Sequence, residues 1–66
     1  MKFSERFSEV LKEIKFSQKE LAKKLNIAES NISNWKNGDN LPSLQVLYEL
    51  CKILDESADY LLGLTD

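Results

Sequence analysis

Apolar residues along this chain recur at intervals of three and four positions, the spacing that places side chains on one face of an α-helix. The first run covers residues 4–15, and its apolar side chains are Phe7, Val10, Leu11 and Ile14. Ser4 stands at the start of this run, where a serine hydroxyl can cap a helix. We therefore predict a first amphipathic helix over residues 4–15.

A capping signal marks the start of the second helix. Ser17 is followed three residues later by Glu20, the spacing of a capping box, in which each side chain accepts a hydrogen bond from the other residue's backbone. Asn26 comes next in the pattern, and asparagine tolerates a positive φ better than most other residues. We predict a second helix over residues 18–25 that Asn26 ends with a sharp turn.

The third helix is predicted to start near Ala28 and to end at Asn37. Gly38 follows directly, and glycine readily supplies the left-handed conformation that closes many helices. Residues 39–42 then form a loop. This helix carries few apolar side chains, and almost everything between them is small and polar.

Two more helices follow, each with a serine at its start. Ser43 is placed to cap a fourth helix that extends to about Leu54, and Ser57 is placed to cap a short fifth helix that Gly63 closes. The fourth helix is apolar over most of its circumference, which predicts a central position. Its expected core stripe is Leu44, Leu47, Cys51 and Leu54. The fold class is therefore all-α, with five short helices.

Length and composition limit the function classes that the chain can belong to. Its 66 residues are expected to form one domain, residues 1–66, with a small core. Cys51 is the only cysteine and histidine is absent, which excludes an internal disulfide and a Cys/His zinc site. We expect no metal and no cofactor. The sequence contains neither an apolar run of about 20 residues nor a signal-peptide core, so we expect a cytoplasmic protein without a membrane span.

The charges are divided unevenly along the chain. Residues 1–38 carry 8 Lys/Arg against 5 Asp/Glu, whereas residues 39–66 carry 1 against 6, although the net charge is only −2. One face can therefore be basic while the whole chain is acidic, because surface fields act over a Debye length of about 8 Å at physiological salt.

The second and third helices carry a spaced pattern. Counted from Gln18, the small residue Ala22 is fifth and the turn residue Asn26 is ninth, while Ile32 and Trp35 are fifteenth and eighteenth. A small residue allows two helices to cross closely, and the two apolar residues anchor the third helix while its other face stays free. This arrangement is typical of a helix-turn-helix.

The segment FSQKELAKKLNIAESNISNWKNGDNLPS resembles the Cro/CI repressor type of helix-turn-helix domain, also called the xenobiotic-response-element family. The tail LDESADYLLGLTD resembles the end of the same domain, so the resemblance covers essentially the whole chain. It implies a compact five-helix lambda-repressor-like domain that binds DNA and inserts helix 3, about residues 28–37, into the major groove.

Three positions depart from that family's pattern. Asn26 stands where the family usually has glycine, and Ala28 stands where it usually has a serine or threonine cap. Leu11 and Lys36 occupy positions where the family often pairs an arginine with a glutamate. Since both partners are replaced together, no charge is stranded, and Lys36 becomes available for a phosphate.

Helical geometry separates the residues of helix 3 into two sets. At about 100° per residue, Ile32 and Trp35 point to one side and the small polar residues to the other. The candidates for base contacts in DNA are Glu29, Ser30, Ser33 and Asn34. Asparagine can bind adenine through two hydrogen bonds, which makes Asn34 suited to base recognition. The alternative is an ordinary solvated face.

Contacts to the DNA backbone need cations and free backbone amides. Gln18 stands in the first turn of helix 2, where unpaired N–H groups and the helix dipole favour anions. The candidate backbone contacts are Gln18, Lys19, Lys23, Lys36, Asn37, Asn40 and Ser43. Surface lysines that serve only solubility are the alternative.

These observations predict a sequence-specific, double-stranded DNA-binding transcriptional regulator, specifically a repressor. One helix in one groove covers too few base pairs for specificity in a genome, so we expect a homodimer on a palindromic operator. The candidate interface residues are Val46, Tyr48, Ile53, Tyr60, Leu61 and Leu64, unless they belong to a larger single core. An antitoxin-like protein-interaction module that also binds DNA is the alternative. An enzyme is not expected, because the sequence has no histidine and no glycine-rich phosphate loop.

Overall fold

Five helices make up the computed structural model, which describes residues 1–65. They are α1 (Phe3–Glu13), α2 (Gln18–Leu25), α3 (Glu29–Asn37), α4 (Leu44–Leu54) and α5 (Ala58–Leu62). No strand occurs within the described residues. The predicted all-α, five-helix fold is confirmed, and α2 has the predicted bounds.

Local capping signals explain most of the helix ends. Ser17 Oγ accepts a hydrogen bond from the Glu20 amide at 3.1 Å, and the Glu20 carboxylate accepts one from the Ser17 amide at 3.2 Å, so the predicted capping box is confirmed. Asn26 adopts the left-handed conformation with φ 58°, and its amide donates to carbonyls in the last turn of α2. Gly38 closes α3 in the same way with φ 81°.

The serine caps of α4 and α5 are also confirmed. Ser43 Oγ accepts from the Val46 amide at 3.2 Å, and Ser57 Oγ accepts from the Tyr60 amide at 3.1 Å. Asp55 ends α4 with φ 54°, a left-handed residue that the sequence pattern did not identify.

The predicted cap of α1 is wrong. The helix begins at Phe3, its N-cap residue is Lys2, and no side chain caps it. Ser4 lies inside the helix and its hydroxyl donates a hydrogen bond of 2.6 Å to the carbonyl of Trp35 in α3. The helix also ends at Glu13, two residues earlier than predicted, because Ile14 is already extended. Ser4 therefore joins two helices and does not start one.

The core brings together buried side chains from all five helices. Phe7 stacks on Phe3 with ring centroids 5.2 Å apart and meets the ring of Trp35 edge-on at 5.8 Å. The buried residues are Phe3, Phe7, Val10, Leu21, Ala22, Ile32, Trp35, Leu50, Leu54 and Leu61. α1 contributes three of these and packs on α3 and α5, while α4 contributes two and packs on α2 and α5.

The core stripe predicted for α4 is partly wrong. Leu54 is buried, but Leu44 is 85% exposed, and Leu47 and Cys51 are only half-buried. Leu50 is the fully buried residue, so the inward face of α4 is rotated from the predicted one. Partial burial raises the pKa of the Cys51 thiol, which keeps it neutral near physiological pH.

Arg6 fastens the C-terminal part of the described chain to α1. Its guanidinium donates to the carbonyl of Tyr60 at 2.8 Å and to the carbonyl of Thr65, and lies 4.6 Å from the centre of the Tyr60 ring. A cation over an aromatic ring contributes about 0.5–1 kcal/mol at exposed sites. This contact holds α5 against the side of α1.

We predict that Ile32→Ala lowers the free energy of unfolding by about 2–5 kcal/mol, because Ile32 is fully buried and truncation leaves a cavity. A domain of this size has roughly 3–10 kcal/mol in total, so the variant is barely stable. Urea unfolding followed by the emission of Trp35, the only tryptophan, measures the change. The exposed control Lys23→Ala should stay within about 0.5 kcal/mol of the parent protein; equal stability of both variants would contradict the assigned core.

Candidate nucleic-acid interface

The second and third helices meet through a tight turn of three residues, 26–28. The left-handed Asn26 reverses the chain, and the amide of Ile27 donates to the carbonyl of Ala22 at 3.0 Å, which fixes the turn against the end of α2. Ala22 is buried, as expected for a small residue in a closely packed helix. The turn thus sets the direction in which α3 leaves α2.

Two buried side chains hold α3 to the body of the protein. Ile32 has no exposed surface and Trp35 is 4% exposed, which confirms both as anchors. On the other sides of the helix, Glu29, Ser30, Lys36 and Asn37 are exposed. Asn31, Ser33 and Asn34 are half-buried. The helix therefore presents hydroxyl and amide groups to solvent along most of its length.

No side chain caps the start of α3. Ala28 occupies the N-cap position with extended backbone, and no side chain bonds the first-turn amides there. Glu29 lies in the first turn, where its carboxylate interacts favourably with the helix dipole. The N–H groups of this turn can donate to an anion, while the nearby carboxylate repels a phosphate.

A hydrogen-bond network crosses from α2 to α3. Gln18 Nε2 donates to Ser33 Oγ at 2.9 Å, and Lys36 Nζ donates to Gln18 Oε1 at 3.4 Å. The second bond is long and exposed, so it contributes less than the first. The nitrogen and the oxygen of the Gln18 side-chain amide are therefore both bonded to α3. These bonds fix the position of the first turn of α2 relative to α3.

This network changes what the predicted site residues can offer. Ser33 Oγ already accepts one hydrogen bond, which leaves its O–H donor and one acceptor lone pair for a base edge. The Lys36 ammonium has three donors and uses one of them on Gln18, which leaves two for a phosphate. Sequence periodicity did not reveal the network, because Gln18 and Ser33 lie on different helices and meet only through the turn.

The lysines of α2 differ in their surroundings. Lys19 and Lys23 are exposed, whereas the ammonium of Lys24 lies 5.3 Å from the centre of the Phe16 ring. The cation–π contact with Phe16 gives the Lys24 ammonium a partner within the protein. Lys19 and Lys23 remain cations that can approach a phosphate.

The remaining predicted backbone contacts lie at the end of α3 or beyond it. Asn37 and Asn40 are exposed, and Ser43 is exposed although its hydroxyl oxygen is engaged as the cap of α4. The structure thus groups Gln18, Ser33 and Lys36 through hydrogen bonds, and leaves Asn40 in the loop that follows α3.

The predicted interface residues divide into three groups. Leu61 is wrong as an interface residue, because it is fully buried: α5 has only five residues, and Leu61 is the one that it buries in the core. Val46, Ile53 and Tyr60 are half-buried and pack against the core. Tyr48 and Leu64 are exposed. Met1, Leu41 and Leu44 are also exposed, and none of them was predicted as an interface residue.

Within residues 1–65, no group of three or more His, Cys, Asp or Glu side chains could hold a metal ion. None of the described helices has the length and apolar character that a membrane span requires.

We predict that Ser33→Ala lowers the free energy of unfolding by about 0.5–1.5 kcal/mol, since it removes the acceptor of Gln18 Nε2 in a partly buried contact. For a domain of this size that corresponds to a fall in Tm of roughly 4–8 °C per kcal/mol. Thermal unfolding by circular dichroism measures it, with the exposed Ser30→Ala as the matched control. Identical Tm values for the two variants would show that the bond between the helices contributes nothing.

Comparison with known proteins agrees with this geometry. The profile of the helix-turn-helix family matches residues 8–61, which include all of α2 to α4. The chain is similar to the HTH-type transcriptional regulator ImmR of Bacillus subtilis (strain 168), with 36% identity over 63 residues that cover 96% of this chain and 50% of the relative. It is also similar to the uncharacterized HTH-type transcriptional regulator YobD of the same organism, with 34% identity over 64 residues that cover 97% of this chain and 57% of the relative.

The chain thus spans about half the length of these curated relatives. No solved structure gave a significant match. The family match covers far more than half of the chain, and it includes the turn at Asn26 and both anchors of α3. The chain therefore belongs to the Cro/CI-type helix-turn-helix family, a family of DNA-binding transcription regulators.

Proposed function

We propose that this chain binds double-stranded DNA in a sequence-specific manner by inserting α3 into the major groove, and that it acts as a transcriptional repressor. The observation that carries the proposal is the division of α3 into two faces. Ile32 and Trp35 are buried on one face of the helix. The exposed positions on its other sides carry polar side chains and no apolar ones. A major groove about 12 Å wide admits such a helix and offers donors and acceptors to it.

The base contacts are assigned to four residues of α3. Glu29 and Ser30 are exposed in its first turn, and Asn34 follows Ser30 by four residues, so that Ser30 and Asn34 lie on the same side. The carboxamide of Asn34 can bind the N6 and N7 atoms of adenine, and Glu29 can accept from a cytosine amine. Ser33 offers its O–H donor and one remaining acceptor lone pair. This helix has no arginine, so the usual two-bond contact to guanine is not part of the proposal.

The DNA backbone is assigned to the cations and helix ends around α3. Lys19, Lys23 and Gln18 at α2 approach the phosphates on one side of the groove, together with Lys36. Asn37, Asn40 and Ser43 approach the phosphates near the start of α4. Each phosphate contact adds about 0.9 to the magnitude of the slope of log K against log salt.

Repression follows from occupancy of an operator by two copies. One α3 contacts only a few base pairs, and two copies on half-sites about 34 Å apart double the length of sequence that is recognised. We therefore assign a palindromic operator and a homodimer on DNA. Since the relatives are bacterial regulators and DNA is the proposed partner, we place the protein in the cytoplasm.

Selection of binding sites from random duplexes tests the function. The parent protein should enrich a palindromic motif, and Asn34→Ala should lose preference at one base position per half-site, by roughly 1–3 kcal/mol of discrimination. The control Asn40→Ala should lower affinity while it keeps every base preference, since Asn40 is assigned to the backbone. If no motif is enriched at low salt and high protein concentration, sequence-specific binding is refuted.

Lys23→Ala should weaken binding to all duplexes about equally and reduce the salt slope by about one phosphate contact. Lys52→Ala is the matched control, because Lys52 is an exposed lysine near the end of α4 that the proposal does not assign to DNA. Fluorescence anisotropy with a labelled duplex at several salt concentrations measures both variants. Equal slopes for the two would contradict the placement of DNA beside α2.

A further inference from the structure

A pocket lies where the later part of α1, the start of α2 and the end of α3 meet. Its volume is about 250 Å³. These helices and the segment between α1 and α2 supply the residues that line it: Ser8, Leu11, Lys12, Ile14, Phe16, Ser17, Gln18 and Lys36. We refer to it as the three-helix pocket. A cavity of about 150 Å³ holds a benzene molecule, so this pocket has room for one aromatic ring with a short substituent.

One part of the lining of the three-helix pocket is apolar. Leu11, Ile14 and Phe16 are half-buried and pack against the core, which fixes their positions. The accessible part of each side chain leaves apolar surface in contact with water. A hydrocarbon group in the pocket removes some of that surface from water, which is favourable. This wall therefore suits the apolar part of a ligand.

The other part of the lining is polar and carries positive charge. Lys12 and Lys36 are exposed, and the eight lining residues include no Asp or Glu. Next to this lining, the Glu20 carboxylate accepts a hydrogen bond from the Ser17 amide at 3.2 Å, which occupies one of its oxygens. Two ammonium groups and one carboxylate leave a positive balance at this rim. The rim therefore favours an anionic group over a neutral or cationic one.

Two of the lining positions also differ in charge from the family pattern. Leu11 and Lys36 stand where the family often pairs an arginine with a glutamate, so two opposite charges are replaced by a single positive one. The Lys36 ammonium has three donors and gives one of them to Gln18 at 3.4 Å. An anion in the three-helix pocket can therefore bond to the other donors of Lys36 without breaking the contact with Gln18.

From this combination of an apolar wall and a cationic rim, we infer that the three-helix pocket binds a small organic anion, a carboxylic acid with one aromatic ring. The ring lies against Leu11 and Phe16, and the carboxylate accepts hydrogen bonds from Lys12 and Lys36. Such bonds between charged groups are stronger than those between neutral groups. An aromatic ring is favoured over an alkyl chain, because Phe16 offers a ring-to-ring contact that an alkyl chain does not make.

Occupation of the three-helix pocket opposes DNA binding, and this part of the inference rests on the proposed function. Gln18 and Lys36 line the pocket and are also assigned to the DNA backbone. A carboxylate on Lys36 uses donors that are otherwise left for a phosphate, and it adds a negative charge that repels that phosphate. The ligand therefore binds the free protein more tightly than the DNA complex. By linkage it lowers the affinity for DNA by the same factor, which is the action of an inducer.

Titration of the ¹⁵N-labelled chain with sodium phenylacetate, without DNA and at constant ionic strength, tests the pocket. Phenylacetate has about ten non-hydrogen atoms, and a ligand of this size should reach a Kd of roughly 1 mM. The amide signals of the lining residues should shift in a saturable way. Phenylacetamide keeps the shape without the charge, and acetate keeps the charge without the ring. Each of these two should bind at least about tenfold more weakly than phenylacetate.

Three variants distinguish the pocket from a general attraction between charges. Lys12→Gln should weaken phenylacetate binding about two- to fivefold, because it removes one exposed lining cation. Lys52→Gln makes the same charge change on α4, which contributes no lining residue, and should leave the binding unchanged. Ser8→Leu puts a larger side chain into the pocket and should abolish saturable binding. Circular dichroism establishes that each variant is folded, and Lys12→Gln decides the point if Ser8→Leu is not.

Fluorescence anisotropy with a selected duplex measures the effect on DNA binding. Saturating phenylacetate should raise the Kd of the parent chain for the duplex at least about fivefold. Phenylacetamide at the same concentration, and sodium chloride at the same ionic strength, should leave that Kd unchanged. Ser8→Leu should bind the duplex like the parent chain, since Ser8 is not assigned to DNA, and should not respond to phenylacetate.

The two measurements test the two parts of the inference separately. Phenylacetate that gives no saturable shifts, or that binds no more tightly than phenylacetamide, would overturn the pocket as an anion site. Saturation of the pocket without any change in duplex affinity would overturn its role as an inducer site. A parent chain that binds no duplex would instead refute the proposed function, while the titration without DNA would still decide whether the pocket takes the ligand.

Discussion

The contact between α1 and α3 at Trp35 determines the direction in which the polar face of α3 points. The Trp35 ring meets Phe7 edge-on at 5.8 Å, and the Trp35 carbonyl accepts the hydroxyl of Ser4 at 2.6 Å. One residue of α3 is thus held through its side chain and its backbone by the same helix. With Ile32 also buried, rotation of α3 about its axis would expose apolar surface to water, which is unfavourable. The opposite side of the helix is therefore fixed toward solvent.

In the proposed DNA-binding surface, α3 and its neighbours serve two different tasks. The exposed side of α3 consists mainly of hydroxyl and amide groups, whereas most of the cations lie on its neighbours. Gln18 connects the two regions, because its amide bonds both Ser33 and Lys36. Hydrogen bonds to base edges carry sequence information, while charged contacts to phosphates supply affinity that does not depend on sequence. An acidic C-terminal half is compatible with this division, since its charges act mainly over short distances at physiological salt.

Features that depend on neighbouring residues could be predicted from the sequence. The capping box of Ser17 and Glu20 and the turn at Asn26 depend on groups within one helical turn, and each is present as predicted. The buried side of α3 can also be predicted from the spacing of its apolar residues, because Ile32 and Trp35 are its main apolar anchors. The helix-turn-helix and the two faces of α3 could therefore be predicted without a structure.

Features that depend on distant residues could not be predicted. Ser4 bonds a carbonyl 31 residues away, and no local pattern distinguishes that partner from a helix cap. Gln18 and Ser33 are 15 residues apart and meet only when the two helices cross. Periodicity likewise identifies the apolar face of a helix but not what covers it, so it treated the exposed Leu44 as core and the buried Leu61 as interface.

The central claim is that DNA lies against α3 and the start of α2. The most direct measurement is a titration of the ¹⁵N-labelled chain with a selected duplex, followed by amide chemical shifts. The largest changes in amide chemical shift should occur over residues 17–40, and within that range they should be greatest on the outer side of α3. The amides on the exposed side of α4 should shift little, except where two copies touch. Changes confined to α4 and α5, with α3 unaffected at saturation, would contradict it.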